Sequence, residues 1–278
     1  MTSYPPLWIQ KPIESRPDNL LAVDTETFGL ATDDEPYLVL AVDNEDNRLH
    51  WRFDVDPRRR TIIRNAKYRL HLSDIRRTFA GRTLVFHNAL FDIQKLELLD
   101  PQMGERIAES HHDTLAMAHL NHSFGSHKLK ALAKALCGYP DTDETELKEA
   151  VRAARRKAPK DVSLGDAVEQ DYWLPHHLGG SELDLKYGIH DVRRTMLLFF
   201  TLKDRLEERG LWGKYLDSVA VNRVAHYMRD SGLKLRPRKT KELLEGLDQD
   251  CKDLSQDFES FTKQKITSSQ GVALALYP

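Results

Sequence analysis

Asp24 and Glu26 stand one residue apart at the end of the apolar run LLAVDTE. Strand residues i and i+2 project to one face, so this spacing predicts two carboxylates side by side at the edge of a sheet. At about 4 Å and an effective dielectric near ~20, such a pair repels by about 4 kcal/mol, and a fold that holds it close supplies a cation. Taken alone, D-x-E reads equally well as the start of a solvated turn. In His87-Asn88-Ala89-Leu90-Phe91-Asp92 a strand ends, Asn88 is placed to cap a helix, and Asp92 falls in that helix's first turn. The helix dipole alone also favours an acid there. Tyr187 and Asp191 lie at i and i+4, on one helical face with Leu183, Thr195 and Leu198. The alternative is that Gly188 breaks the helix and Asp191 caps the next one. The set decides: D-x-E, N-x-x-x-D and Y-x-x-x-D follow in order, each on an element able to aim its acid at one point. Four converging acids call for about two divalent cations, and oxygen-only ligation selects Mg²⁺ or Mn²⁺ over zinc. Two such ions about 3.5 to 4 Å apart suit phosphodiester cleavage.

The elements that must position these residues are legible as periodicities. Runs at 20 to 24, 37 to 43, 48 to 53 and 83 to 87 are rich in β-branched or aromatic residues and read as strands. Apolar spacing near 3.6 predicts helices at about 71 to 80, 89 to 99, 113 to 120, 127 to 137, 144 to 158 and 182 to 208. Three strands followed by alternating helix and strand predict an α/β fold, a mixed sheet with helices on its faces. Past residue 208 the chain turns all-helical, at 214 to 230 and about 238 to 263, split by Gly232 and Pro237. Leu243, Leu247, Cys251, Leu254, Phe258 and Phe261 form a seam there for a partner helix, either the main domain or another polypeptide. The expected organisation is one domain over 1 to 208 and a helical segment over 209 to 278.

Composition bounds the partners. The 278 residues carry a formal net charge of −2 with twelve histidines uncounted, so no long-range positive field holds a polyanion and any grip must be local. Cys137 and Cys251 read as reduced thiols, and neither a signal pattern nor a membrane-length apolar run is present. The expectation is a soluble cytoplasmic protein with no membrane partner.

At these motifs the chain resembles the DEDD exonucleases of the ribonuclease H-like fold. It is most similar to the tyrosine subclass, which includes the proofreading domains of family A DNA polymerases, and the match spans about 18 to 205. The resemblance implies that Asp24, Glu26, Asp92 and Asp191 hold two metals while Tyr187, with Glu26, orients the attacking water. The histidine subclass carries His five positions before the last Asp; here that residue is Lys186, so His190 is not the general base. The resemblance also sets Thr25, Leu30, Asn88 and Phe91 at the terminal nucleotides, Leu30 as a wedge between the last bases, and His127 and Lys128 near a phosphate. HHDTLAMAHLNHSFGSHKLKALAKALCG is similar to phage-type members, and VNRVAHYMRDSGLKLRPRKTKELLEGLD and ITSSQGVALALYP resemble the join to the polymerase thumb. This implies single-stranded or frayed DNA 3′ ends as substrate, nucleoside 5′-monophosphates as product, and a truncated or split polymerase whose remainder is a separate polypeptide. A ribonuclease D-like enzyme acting on RNA and a silent binding module are the competing readings.

Residues 139 to 180 lengthen the usual distance between the second and third motifs, and Trp173 there reads as a buried anchor or a base-stacking platform. Ten Lys/Arg against three Asp/Glu over 52 to 82, and the run Arg152, Arg155, Arg156, Lys157 and Lys160, read as backbone contacts or as solvated surface. His111, His112, His119, His122 and His127 lack ligand spacing with acids or cysteines, which argues against zinc.

Overall fold

The computed structural model describes residues 19–140, 144–232 and 236–263, together with 265, 272 and 273. The chain forms two compact units, one reaching to Tyr227 and a second from Met228 on.

The first unit is built on a five-stranded sheet. Its strands are β1 (Leu20–Thr27), β2 (Pro36–Asp43), β3 (Arg48–Arg52), β6 (Thr83–Phe86) and β7 (His111–Asp113), in the order β3-β2-β1-β6-β7. Between them β4 (Val55–Asp56) and β5 (Thr61–Ile62) pair separately. β1 runs antiparallel to β2 and parallel to β6, which is parallel to β7. β2 is buried along its whole length, which explains its unbroken apolar run, whereas strands covered on one face alternate. Around the sheet lie α1 (Ala66–Phe79), α2 (Ala89–Leu99), α3 (Pro101–Glu109), α4 (Thr114–Asn121), α5 (Leu129–Cys137) and α6 (Thr145–Lys157). Then come α7 (Leu174–His177) and the long α8 (Leu183–Glu208), which packs on β1 and β2. The expected mixed sheet flanked by helices is present.

Several elements depart from expectation. α3 and β7 fall between the helices expected at 89 to 99 and 113 to 120, where the periodicities assign no element, yet Asp100 caps α3 by accepting from the Gln102 amide at 3.3 Å and Pro101 opens the helix. β7 is a three-residue strand, too short to leave a period. α1 begins at Ala66 rather than at 71, because the Asn65 side chain caps it through the Tyr68 amide at 2.9 Å.

The lengthened segment forms α6, a 3₁₀ turn at Val168–Asp171 and α7. Trp173 is 1% exposed and packs edge-on against Phe28, with ring centroids 5.8 Å apart, so it anchors this segment and is not a platform for bases. Buried Asp171 accepts the Gly165 amide at 3.0 and 3.1 Å and lies between Arg60 and Arg155 at 3.7 and 3.4 Å.

Much of the basic stretch at 52 to 82 is paired within the protein, although Arg64, Lys67 and Arg76 remain about half exposed. Arg52 pairs with Asp184, Arg64 with Glu35, Lys67 with Asp54 and Arg76 with Asp100, while Arg60 donates to the carbonyls of Phe28 and Gln170. In the second run Arg155 is tied to Gly165 and Asp171, and Arg152, Arg156, Lys157 and Lys160 are exposed.

α9 (Trp212–Ser231) begins in the first unit, where Tyr215 is buried and its hydroxyl accepts the Asp113 amide at 2.9 Å. In the second unit α10 (Pro237–Thr262) buries none of its residues; Leu243, Leu247, Leu254 and Phe261 are all exposed. Of 266 to 278, read as the start of a thumb helix, all but 272 and 273 lie outside the described residues, as do the first eighteen residues. No helix of the described residues is long and apolar enough to cross a membrane.

Candidate active site

β1 runs on past its parallel pairing with β6, which stops at Ala22, and Asp24 and Glu26 stand on that last part of β1. Asp24 and Glu26 face Leu40 and Leu38 of β2, and the register slips immediately after Glu26. Between them Thr25 is buried and gives both its amide, at 3.0 Å, and its hydroxyl, at 2.7 Å, to Oδ1 of Asp92. Thr25, expected at the terminal nucleotide, thus fastens the first turn of α2 to β1.

Asn88 starts α2 in the left-handed conformation, at φ 73°, and its side chain makes no capping bond, contrary to the expected cap. The acceptor comes from across the sheet. The Asp113 carboxylate at the end of β7 takes the amides of Asn88 at 3.0 Å, Ala89 at 3.1 Å and Leu115 at 2.9 Å. Asn88 itself is left exposed.

α8 runs unbroken through Gly188, so the helix-breaking alternative does not hold. A Cβ at Gly188 would lie 2.7 Å from Leu40 and 3.3 Å from Oε1 of Glu26; only glycine lets α8 approach β2 and Glu26 this closely. Tyr187 and Asp191 flank that contact. Asp191 is buried and its Oδ1 is held by the guanidinium of Arg194, one turn on. Nδ1 of His190 is 2.8 Å from the Tyr139 hydroxyl, and burial, together with Arg194 and Arg193, depresses its pKa to about 4. That partnership leaves Tyr187 as the aromatic group of the site.

The electrostatics record how close the acids are. Burial, and then repulsion from Asp92, Glu26 and Asp191, pushes the Asp24 carboxyl well up. Burial with repulsion from Asp191, Asp184 and Asp92 raises Glu26 to about 8. Burial raises Asp92 to about 7, against the two Thr25 hydrogen bonds that pull it down. Burial also raises Asp191, opposed by Arg194 and Lys130. The Tyr187 phenol is pushed up by burial and by the same carboxylates, so it keeps its proton. Among the described residues, no three His, Cys, Asp or Glu side chains are gathered tightly enough to hold an ion as they stand. Asp191 is turned to Arg194 and Asp92 to Thr25. The donor chemistry nonetheless fits a hard divalent cation: four carboxylates with mutual repulsion, and no thiolate or imidazole among them.

The other expected contacts surround this centre less closely. Leu30 is 84% exposed in the loop after β1, and Phe91 is half-buried with the Lys95 ammonium 5.1 Å from its ring centroid. His127 stacks on His119 at 3.8 Å and pairs its Nε2 with the His122 carbonyl at 2.7 Å, while Lys128 is exposed just before α5. His111 and His112 are occupied by the Ile107 carbonyl and the Tyr215 hydroxyl, at 3.1 and 3.0 Å. Sequence reasoning missed Asp113, Lys130, Glu144 and Arg194. Only Arg194, at i+3 from Asp191, left a local signal.

A 3′-5′ exonuclease family model matches residues 9–207, the stretch that holds every one of these side chains. The chain belongs to the 3′-5′ exonuclease family. It is therefore a metal-dependent hydrolase of phosphodiesters, and the polymerase subclass is the finer part of the resemblance that the match leaves to inference. No curated protein matches. Among solved structures the chain is similar to Brucella melitensis NrnC, at 17% identity and a TM-score of 0.51, over 77% of this chain and 86% of that one. The same nuclease bound to pGG, and with bound Mg²⁺, matches at 17% identity over the same shares, with a TM-score of 0.50 in each case. At that identity the likeness establishes the ribonuclease H-like fold.

Proposed function

We propose that this exonuclease removes nucleoside 5′-monophosphates from single-stranded or frayed DNA 3′ ends, as proofreading domains do. Asp24, Glu26, Asp92 and Asp191 hold two divalent cations, Mg²⁺ or Mn²⁺. The observation that carries the reading is the convergence of these four acids with Tyr187 inside the segment that the family model matches. Bound there, the cations supply a nucleophile at neutral pH and offset charge on the leaving 3′ oxygen. The protein's own groups do the rest. Thr25 fixes Asp92, the Arg194 guanidinium balances Asp191 until it turns into the site, and protonated Tyr187 stands beside the attacked phosphate. Exposed Asn88 and Leu30, with Phe91, are set to meet the last nucleotides, and Lys128 with His127 a phosphate further along.

A second reading, a ribonuclease D-like trimmer of RNA or short oligonucleotides, has one observation in its favour: the similar nuclease bound to pGG. The resemblance of 209 to 278 to the join between exonuclease and thumb supports a polymerase as cytoplasmic partner. A copurifying polymerase chain is the expected finding, and a monodisperse, fully active monomer counts against it.

A time course on 5′-labelled single-stranded DNA and matching RNA, with Mg²⁺, Mn²⁺ or EDTA, tests the reading against Asp24→Ala/Glu26→Ala. Metal-dependent laddering from the 3′ end of DNA, abolished in the double variant, is expected. Preferential decay of RNA or of dinucleotides transfers the assignment to the second reading. Intact DNA and RNA under all conditions would sink both.

A further inference from the structure

Glu144, which immediately precedes α6, lies beside the catalytic tyrosine although no motif contains it. Its Oε1 accepts the Tyr187 hydroxyl at 3.2 Å and also binds the Lys130 ammonium; its Oε2 takes Lys148 and the Tyr172 hydroxyl, each at 3.2 Å. An ionised carboxylate offers about four acceptor sites, and here all are filled. Burial opposes the charge, but Lys130 and Lys148 outweigh it and hold the carboxyl down at about 2. Glu144 thus differs from the four neighbouring acids in both respects: it is fully ionised, and it has no lone pair left for a cation or for a water proton. The ring it addresses is also clamped. The Lys130 ammonium stands 4.4 Å from the Tyr187 centroid, and Tyr172 meets the ring edge-on at 5.9 Å.

A phenol has one proton to give. The hydrogen bond of Tyr187 runs to Glu144, and Asp191, whose pKa the same hydroxyl lowers, is the alternative acceptor. We propose that Glu144 is a positioning residue for Tyr187: by accepting the single phenolic proton, it leaves Asp191 unencumbered and turns the Tyr187 oxygen towards the site as a hydrogen-bond acceptor. Tyr187 then orients the attacking water by accepting a hydrogen bond from it. Lys130 and Lys148 hold Glu144 in place for that task, and Lys130 also fixes the plane of the ring.

This inference rests on the exonuclease reading, and the test separates the two. Steady-state turnover of 5′-labelled single-stranded DNA, or of whichever nucleic acid the parent degrades, is compared for the parent, Glu144→Gln, Glu144→Asp, Tyr187→Phe and the two double variants. Gln removes the charge and one of the two acceptor oxygens, so that in either orientation its NH2 meets a lysine ammonium, and Asp withdraws the carboxylate by one methylene while keeping its charge. Either single change is expected to lower kcat about tenfold, the scale of one hydrogen bond to a charged acceptor, with KM little altered. In the Tyr187→Phe background neither change is expected to add a further loss, because coupled residues are not additive. Losses that multiply in the double variants, or Glu144 variants with unchanged kcat, overturn the positioning role while leaving the nuclease intact. A parent that turns over nothing overturns the exonuclease reading and this inference with it.

Discussion

At the scale of single residues, the site is a group of carboxylates held against their own preference. Glu26 at about 8 and Asp92 at about 7 are both raised, principally by burial. A raised carboxyl binds its proton more tightly folded than unfolded. The folded state therefore loses stability relative to the unfolded one as pH climbs from the unfolded carboxylate range, near ~4, through the folded values, and the loss levels off above them. In EDTA the melting temperature is expected to fall by several degrees between about pH 5.5 and about pH 8.5. Mg²⁺ is expected to restore much of it at the higher pH, since a ligand that binds only the folded state stabilises it. Asp24→Asn/Glu26→Gln should flatten both effects. A melting profile equally steep in that variant would place the titration elsewhere.

At the scale of elements, two contacts hold the acids in register. The first is α8 against β2 at Gly188, where a methyl group would meet buried Leu40. Gly188→Ala gains about 1 kcal/mol in helix propensity, but overpacking costs about 1 to 3 kcal/mol, and the displaced face carries both Tyr187 and Asp191. Turnover should fall more sharply than stability, as measured by kcat alongside a denaturant midpoint. The second is Asp113, whose carboxylate serves the start of both α2 and α4. Asp113→Ala strands these amides and is expected to destabilise the first unit by about 2 kcal/mol or more. It should also weaken activity through Asn88 and Asp92. An unchanged denaturant midpoint would show that water replaces the carboxylate without cost.

At the scale of the whole molecule, every side chain of the proposed site lies in the first unit, which reaches to Tyr227. A chain ended after Tyr227 is expected to keep metal-dependent turnover, read with the same labelled substrates; its loss would assign the second unit a catalytic part. α10 buries nothing among the described residues, so Leu243→Gln/Leu247→Gln/Leu254→Gln should leave the melting temperature of the chain unchanged. With a net charge of −2 and Arg52, Arg64 and Arg76 each paired with an acid, the salt dependence of KM should be shallow, reporting few phosphate contacts.

The sequence by itself placed the proposed carboxylate set and Tyr187 on the strands and helices that carry them, because spacing on a strand or helix fixes which side chains share a face. It was silent on α3 and β7, where a cap and a three-residue strand leave no period. It placed Asn88 at the start of α2 but not in its left-handed conformation, and it offered a helix break at Gly188 where the helix is continuous. Tertiary structure alone decided that Thr25 serves Asp92, that Asp113 takes over the capping of α2, and that Lys130 and Glu144 close around Tyr187. Those partnerships join residues far apart in the chain, and a hydrogen bond across tens of residues is set by how the sheet and helices pack, which no local pattern encodes.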